Sequence, residues 1–159
     1  MNYIIRAMRP AEYPLLEEFL YQAIFVPEGE VPPPRAILAR PELRVYLDGF
    51  GTQPDDRCLV AEADGQIVGA VWVRIMDDYG HVDEEAPSFA ISLLPGFRGQ
   101  GIGTALLGAM LEALRAAGYA RASLAVQKEN YALRMYRKAG FEIVGENELE
   151  YIMVRDLRT

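Results

Sequence analysis

The hexapeptide Arg98-Gly99-Gln100-Gly101-Ile102-Gly103 lies between an apolar run and a segment of helical periodicity. The run, residues 89–94, ends at Pro-Gly, as expected of a buried strand that stops at a turn. Apolar residues then recur at helical spacing from 102 to 114. A strand that turns through glycines into a helix presents free backbone N–H groups at the positive end of that helix. The stretch therefore predicts a phosphate or pyrophosphate site, to which Arg98 adds a charge-assisted donor.

Two familiar phosphate motifs do not match this stretch. A P-loop needs Lys-Ser/Thr directly after its second glycine, whereas Ile102-Gly103 follows Gly101 here. A dinucleotide-binding G-x-G-x-x-G motif would need a glycine at position 106, which is leucine. The remaining pattern, Arg-x-x-Gly-x-Gly, is short, and a glycine-rich helix start without a ligand fits it equally well.

A second pattern lies downstream of the first. Residues 123–126 read as a short strand, and a helix opens near Asn130 and ends at Gly140-Phe141. Together the two stretches resemble the GCN5-related N-acetyltransferase (GNAT) superfamily, in which Arg-x-x-Gly-x-Gly after the fourth strand cradles the pyrophosphate of coenzyme A. The residues in register with the superfamily's later motif are Asn130, Ala132, Tyr136, Gly140 and Phe141. The resemblance covers roughly residues 56 to 156, and the first 55 residues match only in general layout.

The order of predicted elements is that of a mixed α/β fold. Strands are predicted over 3–7, 58–62, 67–75, 88–94, 120–126, 141–145 and 150–155. Helices are predicted over 14–25, 41–50, 101–117 and 130–139, with a proline-rich, non-helical connection over 26–35. Asp64-Gly65 predicts a hairpin turn. The resemblance implies a mostly antiparallel central sheet of about seven strands with helices on both faces, the acyl-CoA N-acyltransferase fold. At 159 residues, one domain over 1–159 is expected.

Composition excludes several classes of function. The net charge of −7 disfavours nucleic acid, whose binding depends on Lys and Arg. No apolar run approaches the ~18–20 residues that span a bilayer, and the first residues lack a signal-peptide pattern, so no membrane association is expected. A lone Cys58 suits the reducing cytoplasm. No His, Cys or carboxylate cluster has metal-ligand spacing, so no metal is expected.

The resemblance implies that acetyl-CoA is the co-substrate and that the chain is an N-acetyltransferase. It assigns coenzyme contacts to Leu93, Leu94, Arg98, Gly99, Gln100, Gly101, Ile102, Gly103, Thr104, Asn130 and Tyr136. Tyr136 also occupies the superfamily's position for the acid that protonates the leaving thiolate. Each assignment has a simpler alternative, since Tyr136 also suits a half-buried core position and Asn130 suits a helix N-cap.

The general base leaves no clear trace in the sequence. Many members of the superfamily carry a glutamate or histidine on the strand before the phosphate loop, but residues 88–92 read Ser-Phe-Ala-Ile-Ser. The nearest candidates lie in the preceding acidic loop, where Glu84 is the first choice and His81 the second. An exposed, merely solubilising loop is the alternative.

The acceptor pocket in this superfamily is built from the first two helices, their connection and the loop after the third strand. In those segments we assign substrate binding to Glu28, Glu30, Tyr79 and Glu85, beside further acids that include Asp77 and Asp78. Carboxylates beside aromatic rings suit a cationic amine, through ion pairing and cation–π contact. A small-molecule amine is therefore favoured as the acceptor, although these acids serve solubility equally well.

Two classes of function remain open. In the first, an amine attacks acetyl-CoA directly in a ternary complex, because Cys58 lies too early in a core-like strand to serve as a covalent nucleophile. In the second, the chain is an acyl-CoA-binding sensor without turnover. A protein N-terminal acetyltransferase, an acyl group larger than acetyl and a homodimer are also compatible with the sequence.

Overall fold

The computed structural model describes residues 2–158 of the chain. Seven strands form one sheet. In chain order they are β1 (Ile4–Ala7), β2 (Arg57–Ala63), β3 (Gln66–Arg74), β4 (Ser88–Leu93), β5 (Arg121–Gln127), β6 (Glu142–Glu146) and β7 (Glu150–Asp156). Their spatial order is β1-β2-β3-β4-β5-β7-β6. Every pairing is antiparallel except that of β4 with β5, which is parallel.

Four α-helices pack on the sheet. They are α1 (Leu16–Ala23), α2 (Pro41–Arg44), α3 (Ile102–Ala116) and α4 (Ala132–Lys138), with 3₁₀ helices at Pro10–Leu15 and Arg35–Ala39. The predicted mixed α/β fold with a mostly antiparallel, seven-stranded sheet is confirmed. None of the helices within residues 2–158 has the length and apolar character needed to cross a bilayer.

The parallel pair β4–β5 opens the middle of the sheet. The two strands share one paired position, Ser88 opposite Ser123. Beyond it, residues 89–93 of β4 and 124–127 of β5 make no ladder with each other. We call the resulting gap the fork and the Ser88–Ser123 position its base. The fork leaves a wedge of space between two strands that are each firmly paired on the other side.

The two faces of β4 meet different layers of the protein, because successive side chains of a strand alternate between faces. On one face, Phe89 and Leu93 join the core that contains α3 and α4. On the other, Ala90 packs with Phe19 of α1, and the hydroxyl of Ser92 donates a hydrogen bond to the Phe19 carbonyl at 2.6 Å. The fork is therefore reached from α4 on one face and from α1 on the other.

The hairpin between β2 and β3 forms as predicted. Asp64 and Gly65 both have positive φ values, 51° and 78°, which a two-residue type I′ turn requires at its central positions. Their position between paired residues Ala63 and Gln66 fixes the register of the two strands. The turn chemistry alone was sufficient to predict it.

The first predicted helix, 14–25, differs from what the structure shows. Its beginning is the 3₁₀ helix Pro10–Leu15, and the α-helix runs only from Leu16 to Ala23. Pro14 lies inside the 3₁₀ segment. Because proline has no N–H to donate to an α-helical ladder, the α-helix begins after it rather than through it.

The second helix was predicted over 41–50, and the prediction was wrong beyond Arg44, where α2 ends. Residues 45–50 form turns instead, and the guanidinium of Arg74 explains why. Its Nη1 donates to the carbonyls of Val45 and Asp48 at 3.0 and 2.7 Å, and Gly49 has a left-handed φ of +65°. Arg74 on β3 thus donates to backbone carbonyls that would accept hydrogen bonds within the helix if α2 continued.

Candidate functional site

A cavity of about 630 Å³ lies beside the second half of β4, at the open side of the fork. Its walls are the end of α1 and the chain just beyond it (residues 21–26), the prolines 32 and 33, the second half of β4, residues 98–103, which we call the glycine loop, and the start of α4. The walls are largely apolar. The cavity therefore combines a nonpolar channel with the polar backbone of the glycine loop at one end, an arrangement typical of small-molecule sites.

The glycine loop has the backbone geometry that the predicted anion site requires. Gly101 is the N-cap residue of α3 and has a φ of +86°, which a residue with a side chain rarely adopts. A Cβ at Gly101 would meet no atom within 4 Å, so the backbone angle, not crowding, requires glycine here. No side chain caps the start of α3. Its first backbone N–H groups therefore remain available to an anion, next to Gly103 and Thr104 in the cavity wall.

Arg98 connects this loop to α1. Its Nη2 donates to the side-chain oxygen of Gln22 at 3.0 Å and to the Gln22 carbonyl at 3.3 Å. Its Nε donates to the Leu93 carbonyl at 3.2 Å. Arg98 still lines the cavity, so its positive charge stands at the end where the glycine loop would hold a phosphate.

Most of the predicted coenzyme contacts meet at one cavity. Those that line it are Leu93, Arg98, Gly99, Gly101, Gly103, Thr104, Asn130 and Tyr136. Three others are turned away from it. Ile102 is buried in the core, Leu94 packs with the α1 layer, and the Gln100 amide donates to the Gly96 carbonyl at 2.9 Å, which closes the loop on itself.

Asn130 has a local structural role, but one residue before the predicted N-cap position, because the N-cap residue of α4 is Tyr131. Its Oδ1 accepts the backbone N–H of Ala132 at 2.8 Å, and its Nδ2 donates to Oε1 of Gln127 at 3.2 Å. The side chain thus fixes the turn from β5 into α4. It stays at the cavity wall while doing so.

Tyr136 is a buried polar side chain in the cavity wall. The residue is only 9% exposed, and its ring packs edge-on against Phe141 with centroids 6.0 Å apart. Within residues 2–158 its hydroxyl makes no hydrogen bond, although the side chain lines the cavity. Burial raises the pKa of this phenol well above its usual value of 10, so the hydroxyl stays protonated and able to donate.

In the acidic loop between β3 and β4, Glu84 and Glu85 are exposed whereas His81 and Asp83 are partly buried. His81 and Glu84 pair with each other, with Nε2 and Oε2 3.1 Å apart, and the Glu84 side chain is 81% exposed. Arg121 of β5 forms an ion pair with Asp83, with Nη1 and Oδ2 2.6 Å apart, and the Glu85 side chain is 85% exposed. None of these loop residues lines the cavity.

The other residues assigned to the acceptor also lie off the cavity wall. Glu28 and Glu30 are exposed, although Pro32 and Pro33 of the same connection line the cavity. Tyr79 is 39% exposed. Their roles stay predictions, and none of these residues lines the cavity.

A carboxylate that sequence analysis did not single out, Asp78, lies at the base of the fork, outside the set of residues that line the cavity. The hydroxyls of Ser88 and Tyr46 each donate to Asp78 at 3.0 Å, to Oδ1 and Oδ2 respectively. Burial raises the pKa of Asp78, and the two hydrogen bonds oppose that rise. Tyr46 is 32 residues away in sequence, so no local pattern marks this pair.

The comparisons with known proteins agree with this geometry. Residues 20–141 match the acetyltransferase (GNAT) family. The chain belongs to that family and is an N-acetyltransferase. The resemblance in the glycine-loop and α4 motifs is thereby confirmed.

Individual relatives support the same assignment. An uncharacterized N-acetyltransferase of Mycobacterium tuberculosis is 35% identical over 115 residues, which span 67% of this chain and 70% of the relative. A mycothiol acetyltransferase of Frankia alni is 37% identical over 95 residues, 53% of this chain but only 27% of the relative. The structure of PaiA N-acetyltransferase from Thermoplasma acidophilum in complex with coenzyme A superposes with a TM-score of 0.71 at 18% identity, covering 98% of this chain and 99% of that one.

Proposed function

We propose that the protein transfers an acetyl group from acetyl-CoA to the primary amine of a small cationic molecule, by direct attack in a ternary complex. The observation that carries this proposal is the hydroxyl of the buried Tyr136, which has no hydrogen-bond partner within residues 2–158 and lies in the cavity beside the glycine loop. A lone, buried Cys58 suits a reducing compartment, so we place the reaction in the cytoplasm.

The residues at the glycine loop fit the pyrophosphate of coenzyme A. The start of α3 is uncapped, Gly101 leaves open space beside the backbone, and Arg98 supplies a positive charge. These are the features that a helix N-terminus needs to bind a phosphate. The relative of known structure that holds coenzyme A has the same fold over nearly its whole length.

The thioester of acetyl-CoA supplies an activated acetyl group, and the chain's own residues manage the protons. We assign the donation of a proton to the leaving sulfur to Tyr136, whose phenol burial keeps protonated. Burial also raises the pKa of the Cys58 thiol far above neutrality. That thiol is buried on β2 and is not part of the cavity wall, so it supports attack by the amine itself rather than a covalent acetyl-enzyme.

The acceptor is proposed to be a cation because of the charges at the fork. Asp78 forms no ion pair with any residue from 2 to 158. Glu150, at the start of β7, is close enough for the charge of Asp78 to raise its pKa, in addition to the effect of burial. Two partly buried carboxylates near each other favour a positively charged ligand.

The test is release of coenzyme A from acetyl-CoA across a panel of polyamines, amino sugars, amino acids and peptide N-termini. We expect turnover with at least one class of small amine. Tyr136→Phe should lower kcat by about 10²–10⁴-fold with little change in acetyl-CoA affinity. Tyr13→Phe is the matched control, since it removes a hydroxyl from a tyrosine that packs on Phe50 in the opposite layer.

The outcomes separate the hypotheses. Equal losses of rate and affinity in Tyr136→Phe would assign that residue to packing. Binding of acetyl-CoA without turnover on any amine would refute the catalytic proposal and favour an acyl-CoA-binding sensor. Turnover on peptide N-termini alone would refute the proposed class of acceptor.

A further inference from the structure

We propose that Asp78 is the catalytic base, which takes a proton from the acceptor's ammonium group at the base of the fork while Tyr46 and Ser88 hold its carboxylate in place. This inference rests on the function proposed above, because it needs an amine acceptor. It adds the identity of the base and the face of the sheet from which the base reaches the acceptor, neither of which the motifs specify.

The first argument is the face of the sheet on which Asp78 lies. Ser88 donates to it, and Ser88 lies on the same face of β4 as Ala90 and Ser92, which contact the α1 layer. Tyr136 reaches the fork from α4, on the opposite face. A proton acceptor and a proton donor thus approach one gap from opposite faces of the sheet.

The second argument is how firmly the carboxylate is held. Oδ1 accepts from Ser88 and Oδ2 from Tyr46, so each oxygen keeps lone pairs for a further donor. Two residues later the chain lies directly against β5. A Cβ at Gly80 would be 2.9 Å from the backbone of Leu124 and of Ala125. Asp78 is therefore fixed against both strands of the fork.

The third argument is that Tyr46 is itself held by buried groups. The indole of Trp72 donates to the Tyr46 carbonyl at 3.2 Å. Arg74 donates to the carbonyls on either side of it, at Val45 and Asp48. Trp72 and Arg74 are both buried. The hydroxyl of Tyr46 is thus directed at Asp78 by a rigid network rather than by a mobile side chain.

The fourth argument is the missing counter-ion. Elsewhere in the protein the fully buried carboxylate of Asp56 is paired with Arg74, which stabilises its charge. Asp78 is partly buried and has hydroxyl partners but no Lys or Arg partner in the described chain. A partly buried carboxylate without a basic partner either takes up a proton or favours a ligand cation beside it.

The surrounding titratable groups are consistent with a base. Burial raises the pKa of Asp78, the donors Ser88 and Tyr46 lower it, and His81 on its own loop also lowers it. Glu150 of β7 interacts electrostatically with Asp78 across the fork. The net rise brings the proton affinity of the carboxylate closer to that of an amine, which favours proton transfer.

The proton balance of the reaction is complete with these groups. The ammonium nitrogen loses its first proton to the Asp78 carboxylate, which later passes it to water. The nitrogen lone pair then forms the C–N bond to the thioester carbonyl carbon, and the C–S bond breaks with its electron pair on sulfur. Tyr136 gives its proton to that sulfur, and the second proton lost by nitrogen restores the phenol. No oxidant, reductant or further reactant is needed.

The test compares the pH dependence of kcat/KM for wild type and Asp78→Asn, with Asp64→Asn as the matched control. Asp64 is an exposed aspartate in the turn between β2 and β3, where asparagine also adopts the positive φ. At pH 7 we expect Asp78→Asn to lose about 10²–10⁴-fold in kcat/KM and Asp64→Asn to stay within about twofold. The Asp78→Asn rate should rise tenfold per pH unit up to the pKa of the amine, because only spontaneous deprotonation then supplies the nucleophile.

A second readout varies the acceptor. At pH 7 an amine of pKa near 10.4 is neutral about once in 2,500 molecules, whereas one near 7.8 is neutral about once in seven. The defect of Asp78→Asn should therefore shrink as the acceptor's pKa falls. A defect of the same size for every amine would overturn the proposal, because loss of packing or binding would not depend on amine basicity.

Tyr46→Phe keeps the proposal testable if Asp78→Asn proves unstable. Removing a donor to the ionised carboxylate raises its pKa, so the ascending limb of the pH profile should move to higher pH while acetyl-CoA affinity stays unchanged. An unmoved limb would overturn the role of Asp78. Absence of any wild-type turnover would instead refute the proposed function, so the two failures are distinguishable.

Discussion

Replacing Arg74 by methionine should remove the cation that compensates a completely buried carboxylate. Arg74 is 5% exposed, and the side chain of its partner Asp56 is 0% exposed. The two form a bidentate pair, with Nε–Oδ1 and Nη2–Oδ2 distances of 3.0 and 3.1 Å. Nη1 of Arg74 also donates to two backbone carbonyls of the segment that follows α2.

The expected loss in the free energy of unfolding depends on the hydrogen bonds that Asp56 would keep. Breaking a buried ion pair by removing one partner destabilises proteins by about 3–5 kcal/mol. Asp56 would keep two donors, the backbone N–H groups of Gly51 and Gln53 at 2.9 and 3.2 Å. We therefore expect a loss in the free energy of unfolding at the lower end of that range, about 3 kcal/mol. This is a large fraction of the ~5–15 kcal/mol that stabilises a typical domain.

The assay is urea-induced unfolding followed by circular dichroism. Arg74→Lys serves as the comparison, since it keeps the charge but not the two-pronged geometry, and should lose about 1.5–3 kcal/mol. If Arg74→Met loses less than about 1 kcal/mol while the denaturant slope stays unchanged, the Arg74–Asp56 ion pair is not a major source of stability and the reasoning is refuted.

Two further outcomes concern packing and pH. In Gly69→Ala the new Cβ would lie 2.3 Å from Leu93 Cδ2 and 3.1 Å from Leu106 Cδ1, so we expect a loss of about 1–3 kcal/mol in thermal unfolding. Gly108→Ala, in the interior of α3 with no atom within 4 Å of its Cβ, should instead gain about 0.5–1 kcal/mol, and equal effects would contradict the packing argument. Hydrogen bonds from Arg6 lower the pKa of Glu12 to about 2, so its contribution is present above the ordinary value of 4.5 and lost as the pH falls towards 2. The difference in urea midpoint between wild type and Glu12→Gln should therefore close between pH 4.5 and 2, and a difference independent of pH would exclude this ion pair as its source.

The elements that were predictable from sequence are those that local chemistry determines. The glycine loop and α3 follow from glycines next to a helical apolar period, and the hairpin at Asp64-Gly65 follows from turn chemistry alone. The fork itself was not visible, because the single β4–β5 paired position depends on tertiary arrangement. The residues expected around the fork were predicted from the superfamily resemblance and not from the periodicity of the sequence.

The polar groups at the base of the fork illustrate what local patterns miss. In the sequence, Asp78 is one of several acids in a loop, and nothing separates it from Asp77 or Glu84. Its distinction comes from a tyrosine 32 residues earlier and a serine 10 residues later. Likewise, Arg74 looks like the solvated end of a strand, whereas burial against Asp56 makes it the anchor of the segment after α2.

The single paired position between β4 and β5 divides the sheet into two half-sheets, β1–β4 and β5–β7. Along the fork, two interior strands behave as edge strands, with backbone groups that no neighbouring strand satisfies. The amides facing the fork should accordingly exchange with solvent faster than their central position suggests. A ligand bound in the fork would contact both half-sheets and hold them together. Binding would then stiffen the protein as a whole, and the stability of the sheet would depend on the concentration of what it binds.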